Sequence, residues 1–137
     1  MRIMGVDFGD ARTGIAVSDL LCSIVGWTTV VHSRNMEKTL VEVAKLAKER
    51  EVTEIAVGLP KNMDGSEGVR AELCREFADR LREMTGLPVA MWDERRTTVE
   101  DHNILSQHNY HGQKRKDTVD AVAASLILEG YLAYRSR

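Results

Sequence analysis

The sequence is short of several things, and each shortage excludes a class of protein. Cysteine occurs twice, as Cys22 and Cys74, with no paired spacing. That excludes a disulfide framework and a zinc ribbon, and leaves two ordinary reduced thiols in apolar surroundings. No stretch approaches the roughly 18 apolar residues that a membrane span requires. Asp7 lies where a secretory signal would need an unbroken apolar segment, so a cytoplasmic protein is expected. There is no excess of positive charge: 19 Lys and Arg against 21 Asp and Glu give a net charge of −2. That argues against a polycationic coat for nucleic acid, although a local basic patch on an acidic protein remains compatible with it. The residues single out no Ser-His-Asp or Cys-His arrangement. His102, His108 and His111 cluster in sequence, but their spacing matches no zinc pattern.

What is present is a core-forming chain. The 137 residues, 43% hydrophobic and 29% charged, are enough for one domain spanning 1–137 with its own hydrophobic centre. Three strand-like segments come first, at Arg2–Phe8, Thr13–Ser18 and Gly26–His32. A Gly-Asp turn joins the first two as a hairpin, and the third is rich in β-branched residues. Met36–Arg50 places Leu40, Val43, Ala44 and Ala47 at helical spacing. Glu54–Leu59, ended by Pro60, reads as a buried parallel strand. Glu67–Thr85 carries Cys74, Phe77, Ala78 and Leu81 on one stripe and stops at Gly86, a natural helix end. Pro88–Asp93 is another short strand, and Thr97–Gln107 has helical character. His108–Lys116 reads as a polar loop, and Thr118–Tyr134 as a closing helix rich in Ala and Leu and mostly buried. A meander followed by αβαβ units makes an α/β fold, a mixed sheet with helices on its faces.

Acids stand where apolar residues are expected. Asp7 ends the first strand, Asp93-Glu94 ends the last, and Asp120 interrupts the closing helix. Each also has a plain structural reading. Asp7 can serve a turn, Glu94 can pair with Arg95 or Arg96 at the surface, and Asp120 can complement a helix N-terminus. Together they read differently. Carboxylates from the first strand, the last strand and the last helix converge if those elements pack, and converging carboxylates repel unless cations neutralise them. Oxygen-only ligands suit Mg²⁺ or Mn²⁺, and two such ions can stabilise the attacking and leaving oxygens of a phosphodiester displacement. Arg95, Arg96, Lys114, Arg115 and Lys116 are candidates to hold the backbone phosphates of nucleic acid. Lys61 and Asn62 join them, in a loop where Asn62, Asp64 and Gly65 suit a tight exposed turn. A solvated charged surface is the plainer account of those basic residues.

The segments DFGDARTGIAVSD, VGLPKNMDGSEG, WDERRTT and VDAVAASLILEGYL closely resemble the YqgF/RuvX-like family, in order and over nearly the whole chain. The resemblance implies a ribonuclease-H-like fold related to the RuvC Holliday-junction resolvases, with a five-stranded mixed sheet. It implies a cytoplasmic bacterial nuclease that matures the 5′ end of pre-16S rRNA, other members being described as resolvase-like. The family's three acids fall on Asp7, Glu94 and Asp120, and strand alternation lets only one of Asp93 and Glu94 face the site. RuvC-type resolvases resemble this chain in carrying paired acids on their last helix, here Asp117 and Asp120, three residues apart and on one face. Products with 5′-phosphate and 3′-hydroxyl ends are implied by the same fold. Two other functions stay open. Asp7-Phe8-Gly9 to Gly14 is similar to the phosphate hairpin of actin- and sugar-kinase-like ATPases, and a ribonuclease-H-like domain can be a non-catalytic RNA- or ribosome-binding module. A monomer and a homodimer are both compatible with the chain.

Overall fold

The computed structural model describes residues 1–96 and 112–136, with side chains given for all of these except 112–115. The expected helix at Thr97–Gln107 and the three histidines His102, His108 and His111 lie outside them. Strands β1 (Ile3–Asp7), β2 (Arg12–Ser18) and β3 (Val25–His32) come first, followed by helix α1 (Met36–Glu49). Strand β4 (Glu54–Leu59), helix α2 (Val69–Thr85) and strand β5 (Val89–Asp93) follow; a single 3₁₀ turn (Glu94–Arg96) and helix α3 (Gly112–Arg135) complete the order. The sheet runs β3-β2-β1-β4-β5, antiparallel across the meander and parallel across β1-β4 and β4-β5.

Period-two alternation gives the sheet two apolar faces. Met4, Val6, Ile15, Val17, Ile55 and Val57 meet Leu40, Val43, Ala47, Phe77, Ala78 and Leu81 of α1 and α2. Ile3, Ala16, Ala56 and Trp92 point the other way, onto Ala124, Ile127, Leu128, Tyr131 and Leu132 of α3. Helices therefore cover both faces, as expected. Each helix end has a cause. Asn35 caps α1 by accepting from the Lys38 N–H at 3.0 Å. Gly86 ends α2 with a left-handed φ of 70°. Among the described residues no helix is long and apolar enough to cross a membrane.

Two expectations are corrected at the closing helix. It begins at Gly112, not Thr118, so the second half of the polar segment His108–Lys116 is helical. Gln113, Lys114, Arg115 and Lys116 are good helix formers despite their polarity. The helix is also not mostly buried: one stripe, Ala124, Ile127, Leu128, Tyr131 and Leu132, meets the sheet, and its other faces are half-buried or exposed.

Helix α3 lies unusually close to the strands because glycines clear its path. A Cβ on Gly14 would fall 2.1 Å from the carbonyl oxygen of Asp120, and one on Gly5 2.8 Å from Leu128 Cβ. Only glycine allows that approach, and it sets Asp120 directly over β2. At the far end α3 is strapped to the sheet: Glu54 accepts from the Tyr131 hydroxyl and from Arg135 Nε at 2.9 Å.

Candidate active site

The fold gathers acids at one end of the sheet, where β1, β4 and β5 finish and β2 begins. Alternation puts Ile3, Gly5 and Asp7 on the α3 side of β1. In β5, Ala90 faces α3 and Met91 the opposite layer. Carried to the strand end, that alternation turns Asp93 away from α3 and Glu94 toward it. Gly58 of β4 makes room for Glu94: a Cβ there would lie 3.0 Å from the Glu94 Cδ and 2.6 Å from Ile127 Cδ1. Asp120 comes down from α3 over Gly14, the β2 residue that pairs with Asp7.

Electrostatics register the convergence. Burial pushes the Asp7 carboxyl up from its ordinary 3.8 to about 7, and the negative charges of Glu94 and then Asp120 reinforce the shift. Burial also raises Glu94, with a smaller push from Asp93. In both cases the guanidinium of Arg70 pulls in the opposite direction. Arg70 reaches over from the first turn of α2, donating to Asp10 Oδ1 at 2.6 Å and to the Phe8 carbonyl. Arg12 Nε donates to Asp120 Oδ2 at 2.7 Å, and His32 Nε2 lies 3.2 Å from Asp117 Oδ2.

The plain readings of two acids do not survive. Asp120 sits more than two turns inside α3, too deep to serve a helix N-terminus, whose influence fades within the first turn. Glu94 is not the partner of Arg95. Asp93 is: it holds Arg95 through Nε and Nη2, at 3.1 and 2.7 Å, and this bond lowers its carboxyl to about 2. Asp7, for its part, ends its strand half-buried.

The basic candidates divide. Arg95 stands beside the 60–68 loop, 3.5 Å from the Asn62 carbonyl. Arg96 lies over the rings of Trp92 and Tyr134, at 4.8 and 5.5 Å. Lys61 is 3.8 Å from Glu67, and Asn62 closes its own turn by bonding Ser66 through backbone and side chain at 2.9 Å each. Lys116 is exposed on α3, and the side chains of Lys114 and Arg115 lie outside the described set. Sequence reasoning did not single out Arg12, Arg70 or His32. Only Arg12 left a trace there, inside the DFGDARTG motif.

The donor set is all carboxylate oxygen, hard ligands suited to Mg²⁺ or Mn²⁺, and such an ion would relieve the burial and repulsion that disfavour the ionised form of Asp7. Among the described residues, however, no three His, Cys, Asp or Glu side chains are gathered closely enough to hold an ion as they stand. Chemically the residues fit a divalent cation; geometrically Asp120 is engaged by Arg12.

Comparison with known proteins agrees with this architecture. The family described as "RuvX: Holliday junction resolvase" matches residues 1–134. A protein of Halothermothrix orenii named "Putative pre-16S rRNA nuclease" is 46% identical over 137 residues, covering 100% of this chain and 98% of its own. One of the same name from Myxococcus xanthus is 43% identical over 132 residues, covering 96% of this chain and 87% of its own. Among solved structures, Thermus thermophilus RuvC in complex with Holliday junction substrate superposes with a TM-score of 0.65 at 12% identity, over 99% of this chain and 96% of that one. The fowlpox virus Holliday junction resolvase gives 0.56 at 12% identity, over 98% and 99%. At such identities the likeness is one of fold, the ribonuclease-H-like fold of resolvases.

Proposed function

This chain belongs to the RuvX family, and on that premise we propose that it is a divalent-metal-dependent endonuclease of structured nucleic acid. Its substrate in this reading is the 5′ region of pre-16S rRNA, processed in the cytoplasm during ribosome biogenesis. The carrying observation is Asp7, a half-buried carboxyl raised to about 7 by burial and by Glu94 and Asp120. A protein gains nothing in stability from crowding acids this way; a cation site explains the cost. Mg²⁺ or Mn²⁺, when bound, would supply charge neutralisation and an activated water for in-line displacement.

The chain's own residues do the rest. Asp7, Glu94 and Asp120 are the ligands, and Asp117, one turn before Asp120 on the same stripe of α3, faces His32 and is the nearest acid on that helix to supplement them. Arg70 offsets part of their mutual repulsion. Arg95, Lys61 and Lys116 lie on the flanks as phosphate contacts, a role that positions substrate without reading sequence. The names of the relatives support the RNA substrate. Branched DNA is a second reading, favoured by the family's description.

Purified protein would be offered a precursor fragment spanning the 5′ end of 16S rRNA and, separately, a four-way DNA junction. Cleavage of the RNA in Mg²⁺, lost in EDTA, is expected. Glu94→Gln should lower the rate by more than the roughly 10–100-fold that loss of an outer-shell partner costs. Equal cleavage by wild type and Glu94→Gln refutes the ligand assignment; cleavage of the junction alone refutes the RNA substrate.

A further inference from the structure

The end of the sheet carries a second, basic set that is matched to the acids of α3. Alternation places Arg12, Gly14 and Ala16 on the α3 side of β2. Arg12 pairs across strands with His32 of β3. Asp120 and Asp117 lie one turn apart on the stripe of α3 that faces them. The result is a two-rung ladder, with Arg12 Nε on Asp120 Oδ2 at 2.7 Å and His32 Nε2 near Asp117 Oδ2 at 3.2 Å.

Arg12 thus stands on one of the three carboxylates that the metal reading requires, and the carboxylates are not gathered for an ion in its presence. On Oδ2 the guanidinium occupies a lone pair that a cation could use, and its positive charge opposes that of a divalent ion on the same carboxylate. The Arg12 side chain is 32% exposed and Asp120 16%, so the pair sits at the rim and the guanidinium can swing outward without crossing the core. Once displaced, it would lie at the mouth of a phosphodiester site with its planar fork of donors unspent. That fork matches a phosphate better than an ammonium would.

We propose that Arg12 is an exchangeable counter-cation: it holds Asp120 while the site is ion-free, yields Asp120 to the metal ion, and then grips a backbone phosphate of the nucleic acid. The idea rests on the reading of Asp7, Glu94 and Asp120 as ligands, and goes beyond it by coupling ion binding to substrate binding. A rigid ion pair that merely fastens α3 to β2 would give the opposite result, because losing it would loosen the site.

Calcium titration calorimetry on wild type and Arg12→Gln separates the two. Exchange requires Arg12→Gln to bind Ca²⁺ about two- to fivefold tighter, the worth of a partly exposed ion pair. Affinity for a fluorescent precursor RNA, measured against salt in Ca²⁺, should show a slope lower by about one in Arg12→Gln, for one lost phosphate contact. In EDTA the two proteins should have the same slope, because wild-type Arg12 is then engaged. Asp120→Asn supplies an independent check: it should tighten RNA binding in EDTA by releasing Arg12, and Asp120→Asn/Arg12→Gln should lose that gain. Unchanged or weaker Ca²⁺ binding by Arg12→Gln overturns the exchange, as do equal slopes in Ca²⁺ or equal RNA binding by the single and double Asp120 variants. If wild type binds no Ca²⁺, the ligand reading falls and the exchange with it. If wild type binds Ca²⁺ and Arg12→Gln binds it no tighter, the exchange alone falls.

Discussion

Replacing Asp7 with Asn should abolish cleavage and yet stabilise the protein, and the size of the gain follows from the raised carboxyl. In the unfolded chain Asp7 ionises near 3.8, whereas in the folded protein it holds its proton until about 7. Between those values the folded state binds a proton that the unfolded state has lost, so stability falls as pH rises through the window. A displacement from 3.8 to about 7 corresponds to about 4 kcal/mol at ~1.36 kcal/mol per pH unit. Asp7 is not sealed from solvent, which screens part of the interaction and leaves about 2–4 kcal/mol. Asn has the shape of the protonated acid and never ionises. Asp7→Asn should therefore match wild type near pH 4 and exceed it by about 2–4 kcal/mol at pH 8. Urea unfolding in EDTA, followed by circular dichroism at both pH values, measures the difference. Adding Mg²⁺ at pH 8 should then stabilise wild type and leave Asp7→Asn unmoved. A variant no more stable than wild type at pH 8, or one equally stabilised at both pH values, would refute the reasoning.

Gly14→Ala should cost at least about 3 kcal/mol in urea unfolding, because its Cβ would meet the Asp120 carbonyl at 2.1 Å and backbone cannot give way as a side chain does. The Cys74 thiol, buried in the α2 core and pushed up to about 11 by that burial, should resist a thiol reagent at pH 8 until urea unfolds the chain. Native labelling of Cys74 at the rate of an exposed thiol would show that α2 opens far more readily than its packing allows.

The fold was legible wherever one interaction dominated. Glu54–Leu59 is a strand over the span its apolar run and Pro60 mark out. The α2 stripe of Cys74, Phe77, Ala78 and Leu81 is buried as its spacing requires. The start of α3 was harder, because a basic, polar run such as Gln113–Lys116 looks like a loop when judged by hydropathy and like a helix when judged by propensity. For the candidate site, acids in apolar settings were visible because burying a charge without a partner is costly. Their cationic partners were not. The partner of Arg12 lies 108 residues away, and an isolated arginine has no periodicity to betray what it faces. Arg70, at the start of an amphipathic helix, looks like any solvated residue of a first turn, although it spans from α2 to the β1-β2 turn.

The strap at Glu54 has a mechanical consequence. Tyr131 and Arg135 fix the C-terminal part of α3 to the end of the sheet opposite the acids, so the helix is a lever with its fulcrum there. From Tyr131 back to Asp120 the arm is roughly 16 Å long at 1.5 Å per residue. A tilt of one degree at the fulcrum carries Asp120 through about 0.3 Å, more than the ~0.2 Å within which metal–oxygen distances are held. Glu54 therefore adds to the close contacts at Gly5 and Gly14 in setting the aim of a carboxylate it never touches, and changes at that remote end offer a way to tune ion affinity while every ligand is kept.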